Sequence, residues 1–188
     1  MQHRPMKRTL LKGQSGASLI EVLIAILLLS FGMLSLGAMM AFGVQLPKLS
    51  AYRAVAVNLA TAHIERIRAN PTGFGADNYS AALSYDGTTT NVALADCAYP
   101  TCTPASLATM DNAAANQAIR SQLPAGGMML TCDPTPCIWN SFGNLWEIWQ
   151  EPTTYAALNP ATSDNCPVSV TSTYTDPRPR CLYVRFKL

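Results

Sequence analysis

Between Val22 and Leu46 the chain carries no charged residue, and those 25 residues constrain the fold more than any other stretch. As a helix rising 1.5 Å per residue they reach about 37 Å, enough to cross the hydrocarbon core of a bilayer. Residues 1–16 form a basic leader, with Arg4, Lys7, Arg8 and Lys12 and no acidic residue. Basic flanks stay cytoplasmic, and Lys48 and Arg53 on the far side are outnumbered, so the chain after Leu46 is expected outside the cytoplasm. One carboxylate, Glu21, stands at the mouth of the run, four residues after Ala17. A charge there is costly in a membrane and asks for a functional reason. An ordinary secretory signal has a shorter apolar core and a small-residue cut after it, whereas Gly16 lies before this run. A plain transmembrane anchor explains the length and the flanking charge but neither Glu21 nor the glycine. A lipoprotein signal needs a cysteine near the cut, and the first cysteine is Cys97.

The leader, the apolar run and Gly16-Ala17-Ser18-Leu19-Ile20-Glu21 together resemble the class III signal of type IV prepilins and type II secretion pseudopilins. The resemblance implies a prepilin peptidase that cuts between Gly16 and Ala17, N-methylation of Ala17, and a role for Glu21 in assembly. The chain departs from the family at Ala17, where phenylalanine is usual.

The formal charge of the chain is +2, from thirteen basic and eleven acidic residues. Taking away the four basic residues of the leader leaves nine against eleven, a net of −2, so no basic surface points to nucleic acid. The six cysteines, Cys97, Cys102, Cys132, Cys137, Cys166 and Cys181, all fall in the exported part. An even number in an oxidising compartment favours disulfides, and six cysteines allow 15 pairings. Proximity suggests Cys97–Cys102, Cys132–Cys137 and Cys166–Cys181. The last closes the largest loop and should stabilise by roughly 3 kcal/mol in the chain-entropy account. The five-residue steps of the first two pairs also fit zinc knuckles, but an oxidising location and the lack of nearby histidines favour disulfides.

The chain divides into a leader (1–16), a long helix (17–70, membrane-spanning over about 22–46) and a globular domain (71–188). Gly32, Gly37 and Gly43 are weak points in the helix, and Pro47 allows a bend where it leaves the membrane. From Lys48 to Asn70 the pattern is amphipathic. Tyr52, Val55, Leu59 and Ile67 share a stripe with Ala56, Ala60 and Ala62 beside it. Asn70-Pro71 stops the helix. Residues 71–104 read as a long irregular connection. Residues 105–122 read as a second helix, with Leu107, Met110, Ala114, Ala118 and Ile119 as its apolar set and a Pro-Ala-Gly-Gly stop. Strands are expected over 128–132, 144–150 and the C-terminal residues. There Leu182, Val184, Phe186 and Leu188 alternate with Tyr183, Arg185 and Lys187. The apolar face of that last strand should lie on the amphipathic half of the long helix. This is an α+β fold, a helix packed on a small antiparallel sheet.

The helix ending in Leu-Pro-Ala-Gly-Gly, the following Trp-Glu-Ile-Trp and the stretch from Ile64 to Pro71 resemble the PilV-like minor pilins, the type IV pilus modification proteins. The resemblance implies a type IV pilin-like fold and a minor pilin in a tip complex that primes pilus assembly and supports twitching, adhesion or DNA uptake. Its partners would be the prepilin peptidase, other minor pilins, the major pilin, a tip adhesin and the inner membrane, from which the domain would face the periplasm before joining the surface pilus. Two alternatives stay open: a pseudopilin of a type II secretion system, and a membrane-anchored periplasmic ligand-binding module. No catalytic constellation, cofactor motif or metal site stands out. His3 lies in the leader, and His63 reads as a solvated or core-edge residue. Trp139, Phe142, Trp146 and Trp149 read as core and sheet packing.

Overall fold

The computed structural model describes Gly16 and residues 18–98, 100–151, 164–175 and 178–188. The leader up to Ser15 and Ala17 lie outside the described residues. The elements run α1 (Leu19–Ala69), α2 (Pro71–Gly75), α3 (Pro104–Gln122), β1 (Gly127–Asp133), β2 (Phe142–Trp149), α4 (Val168–Thr173) and β3 (Arg180–Lys187). The chain divides into two compact units, Met1–Leu46 and Pro47–Leu188.

In the first unit, α1 begins after Ser18, whose carbonyl accepts the amides of Glu21 and Val22. Glu21 in the first turn meets the positive end of the helix dipole. Ser30 and Ser35 return their hydroxyls to the carbonyls of Ile26 and Gly32, which satisfies them inside an apolar helix.

In the second unit, the remainder of α1 packs on a three-stranded antiparallel sheet of order β1-β2-β3. Leu130, Leu145 and Val184 stand in one cross-strand row, and Met129, Trp146 and Tyr183 in the next. Alternation sends the first row to the helix side. Ala60, Ile64 and Ile67 of α1 meet Leu130, Leu145 and Phe186 there, while Ala56 meets Met128 and Trp149 together with Ile119 of α3. On the opposite side Ile148 and Cys181 pack with Tyr85, Ala125 and Val170. The apolar face of β3 thus lies on the amphipathic part of α1, as its alternation predicts.

Two stripes differ from the sequence reading. Ala62 is exposed, and His63 and Ile64 are buried in its place. On α3 the deepest positions are Ala108, Asp111, Ala115, Ile119 and Arg120, whereas Leu107, Met110, Ala114 and Ala118 are half-buried. On α3 the cause is that Asp111 and Arg120 have partners inside, which turns the buried stripe away from the line that hydrophobicity alone selects; on α1 His63 is buried without a hydrogen-bond partner. The aromatic cluster is also dispersed. Trp149 is fully buried, Trp146 is half-buried, and Trp139 and Phe142 are exposed.

Turns are set by local chemistry. Asn70 ends α1 and caps α2, accepting the Gly73 amide at 3.2 Å, with Pro71 at the first helical position. Thr103 and Ser106 form a capping box on α3, again with proline first. After α3 the chain turns through Ala125 at φ 49°. A β-carbon on Gly126 would come within 2.5 Å of the Ile119 carbonyl oxygen, so only glycine fits this close return. Disulfides join Cys97 to Cys102, Cys132 to Cys137 and Cys166 to Cys181.

The connection between α2 and α3 is held by side chains rather than by secondary structure. The hydroxyl of Tyr79 donates to Asp111 at 2.6 Å and accepts from Asn70, whose amide also donates to the Pro104 carbonyl. Buried Arg120 donates to the Ser84 and Thr88 carbonyls and pairs with Asp86. Arg120→Met should lower stability by about 1–3 kcal/mol, because the Ser84 and Thr88 carbonyls lose charged donors and residues 84–88 lose their tie to α3. Asp86→Asn should cost well under half of that, since Asp86 is half-exposed. Urea unfolding of the full chain in detergent, followed by tryptophan fluorescence, measures both.

Candidate assembly segment and the buried polar groups

The residues singled out in the sequence fall in different places. Gly16 is exposed ahead of α1, and Ala17 lies outside the described residues. Glu21 lies in the first turn of α1. Leu19–Ala41 is a 23-residue segment long and apolar enough to span a membrane, and none of it is buried within the chain. Its large apolar side chains, from Leu19 to Met40, are 48% to 80% exposed. A helix apolar on every face is stable only in lipid or among other apolar surfaces. This segment with its single carboxylate is therefore the candidate functional site. Chemically it can insert, and it can pair one negative charge with a cation supplied from outside the segment.

The globular unit holds ionisable groups that sequence reading placed wrongly or passed over. His63 is 2% exposed, on α1 beside a cavity of about 40 Å³ lined by Leu59, Ala62, Arg66, Ala115 and Ala118. Burial, aided by the neighbouring Arg66 charge, pushes its pKa down to about 4. Asn112 lies close enough to favour the proton slightly, at a geometry short of a formed hydrogen bond. Glu147 on β2 is completely buried, on the helix side between Leu145 and Trp149, and neither carboxyl oxygen has a hydrogen-bond partner. Burial alone lifts its pKa to about 9, so it is protonated at neutral pH. Strand alternation through Leu145, Glu147 and Trp149 could have flagged it, since it shares the face of two large apolar residues. At the start of β3, Arg180 pairs with Asp164 at 2.8 Å and lies 3.6 Å from Glu151. Asp164 in turn binds Arg53 of α1 at 3.0 Å. Desolvation raises the Glu151 pKa against the pull of Arg180 and Arg53.

Among the described residues, no group of three or more metal-ligating side chains converges. The four cysteines that could have formed zinc knuckles are paired as disulfides.

Residues 44–113 match a family model described as Tt1218-like, Type IV pilin Tt1218. Comparison with curated proteins finds no match, and comparison with solved structures finds none. The matched stretch covers the end of the apolar run, the sheet-packing part of α1, the irregular connection and the first half of α3. Over this stretch the chain is similar to type IV pilins, and its α+β architecture is consistent with theirs.

The two buried groups act in opposite directions with pH. Glu147 titrates near 4.5 when unfolded and near 9 when folded, so it destabilises the fold progressively as pH rises between those values. Glu147→Gln should add on the order of 3 kcal/mol at pH 7 and flatten the alkaline slope. His63 titrates near 6.5 when unfolded and near 4 when folded, so stability falls on acidification between those values. In the wild type the Glu147 and His63 slopes should largely cancel between about pH 6.5 and 4.5, and Glu147→Gln should uncover a fall in stability on acidification there. Unfolding midpoints of the full chain in detergent across pH test this.

Proposed function

We propose that this protein is a minor pilin of a type IV pilus, part of a tip or priming complex that starts assembly and supports twitching, adhesion or DNA uptake. The observation that carries the reading is the type IV pilin match over residues 44–113, directly behind an exposed segment long and apolar enough to span a membrane and headed by one carboxylate. In this account the leader holds the chain in the inner membrane with its C-terminal domain in the periplasm. A prepilin peptidase cuts after Gly16 and methylates the new Ala17 amine. In the apolar centre of a growing filament, Glu21 then pairs with the terminal amine of a neighbouring subunit. Either charge buried alone costs several kcal/mol, and a well-formed pair recovers much of that. Glu21 thereby acts as a register check, admitting a subunit only at the right vertical offset.

A minor rather than a major subunit is favoured by the long connection between α2 and α3, held by side-chain anchors and a disulfide. Such a domain suits heterologous contacts with other minor pilins, the major pilin and a tip adhesin better than bulk self-assembly.

Deletion of the gene should remove sheared surface pili while leaving enzyme secretion normal. Normal pili with blocked secretion would instead assign the chain to a type II secretion system as a pseudopilin. Glu21→Ala should leave membrane insertion intact and lower incorporation into sheared pili at least roughly tenfold, because the neighbour's amine is left unpaired. Immunoblots of membrane and pilus fractions read this, and unchanged incorporation would sink the register role.

A further inference from the structure

The sheet has one covered edge and one open edge. On β1, the amide and carbonyl of Leu130 bond to Ala81, and the Met128 carbonyl accepts from Ser84. Those groups therefore point away from β2. Antiparallel pairing alternates, so Leu145, opposite Leu130, directs its backbone groups toward β3 and its partner Val184. The backbone groups of Tyr183, Arg185 and Lys187 must then point outward. Among the described residues, no hydrogen bond reaches them. At the other end of β3, Cys181 is tied to Cys166 by a disulfide and packs on the sheet face with Ile148 and Tyr85. What stays open is a run of three outward rungs, unpaired N–H and C=O groups spaced to meet another strand.

The side chains define what kind of strand. On the helix side, half-buried Val184 leaves the apolar layer unfinished at this edge. On the other face, Arg185 and Lys187 are exposed and both lie over the Phe142 ring, at 4.2 and 5.2 Å. Arg185 meets one carboxylate, Asp133, in a pair exposed on both sides, which neutralises little. Arg178 adds a further exposed cation just before the strand. Pairing β3 with β3 of a second copy would set this basic strand against itself, and like charges placed opposite one another destabilise a sheet.

We propose that the open edge of β3 is a strand-addition site that takes an extended segment of another protein, alternately apolar and acidic. The added strand would complete the hydrogen-bond ladder, extend the apolar layer past Val184, and place carboxylates beside Arg185 and Lys187. The inference does not depend on the filament reading, because it uses only the globular unit.

The test uses the full chain in detergent and fluorescein-labelled heptapeptides, read by anisotropy. One peptide alternates glutamate and valine, a second alternates lysine and valine, and a third repeats the first with alternate amides N-methylated. The acidic peptide should bind at least tenfold more tightly than either of the others. Arg185→Gln should weaken it several-fold. Arg185→Pro should abolish it, because the Arg185 amide faces outward and proline there removes an edge donor without breaking the β2–β3 ladder. Unfolding midpoints check that both variants fold, and the N-methylated peptide probes the same backbone contact should Arg185→Pro fail to fold. The proposal is overturned by equal binding of the three peptides, or by no binding of the acidic one up to about 1 mM, the range of weak recognition. A concentration-dependent dimer that Arg185→Pro dissolves would also overturn it, by making a second copy the occupant.

Discussion

The seam between α1 and the sheet is the contact on which the globular unit depends. Ala56 and Ala60 are fully covered there, in clusters with Met128, Leu130, Leu145 and Trp149. Ile64 and Ile67 pack in one cluster with Phe74 and Phe186. At Gly143 a side chain would run into the ring of Phe186, so the sheet also thins where the phenylalanine crosses it. Close-packed interiors punish a change of even one methylene, so substitutions along this seam should be felt.

Around the seam, the chain spends few residues on regular structure between α2 and α3, and polar side chains do the fastening. Asn70, Tyr79 and Asp111 join the end of α1, the start of the connection and α3. Arg120 ties residues 84–88 to the last turn of α3. Buried polar networks of this kind are stable only when their members are satisfied. Glu147 departs from this: neither carboxyl oxygen has a hydrogen-bond partner, and burial keeps it protonated. His63 is the complementary case, a base kept neutral by burial and by Arg66.

The two units present different surfaces. The apolar segment of α1 offers side chains to lipid or to other apolar helices, with one carboxylate at its start. The globular unit offers backbone, at the edge of β3, with cations beside it. The first surface gains from removal of apolar area from water and is not directional. The second is directional, because a ladder of N–H and C=O groups accepts only an extended chain in register. A chain with both has one surface suited to an apolar environment and another suited to an extended partner strand.

Much of this was legible in the sequence. The uncharged run marked the membrane-length helix, Asn70-Pro71 its end, Leu-Pro-Ala-Gly-Gly the end of α3, and the alternation of Leu182, Val184 and Phe186 the helix-facing side of β3. These are local signals: periodicity, proline and glycine act within a few residues, so the sequence by itself determined the elements and their apolar faces. The depth of His63, the solitary burial of Glu147, the anchoring by Arg120 and the openness of one sheet edge were decided only by tertiary structure. Whether a polar group is buried or satisfied depends on what packs over it from distant parts of the chain. His63 is covered from α3, Glu147 lies on the helix side of the sheet, and the outer edge of β1 is covered by residues 81–84, while among the described residues nothing bonds to the outer backbone of β3 beyond Cys181.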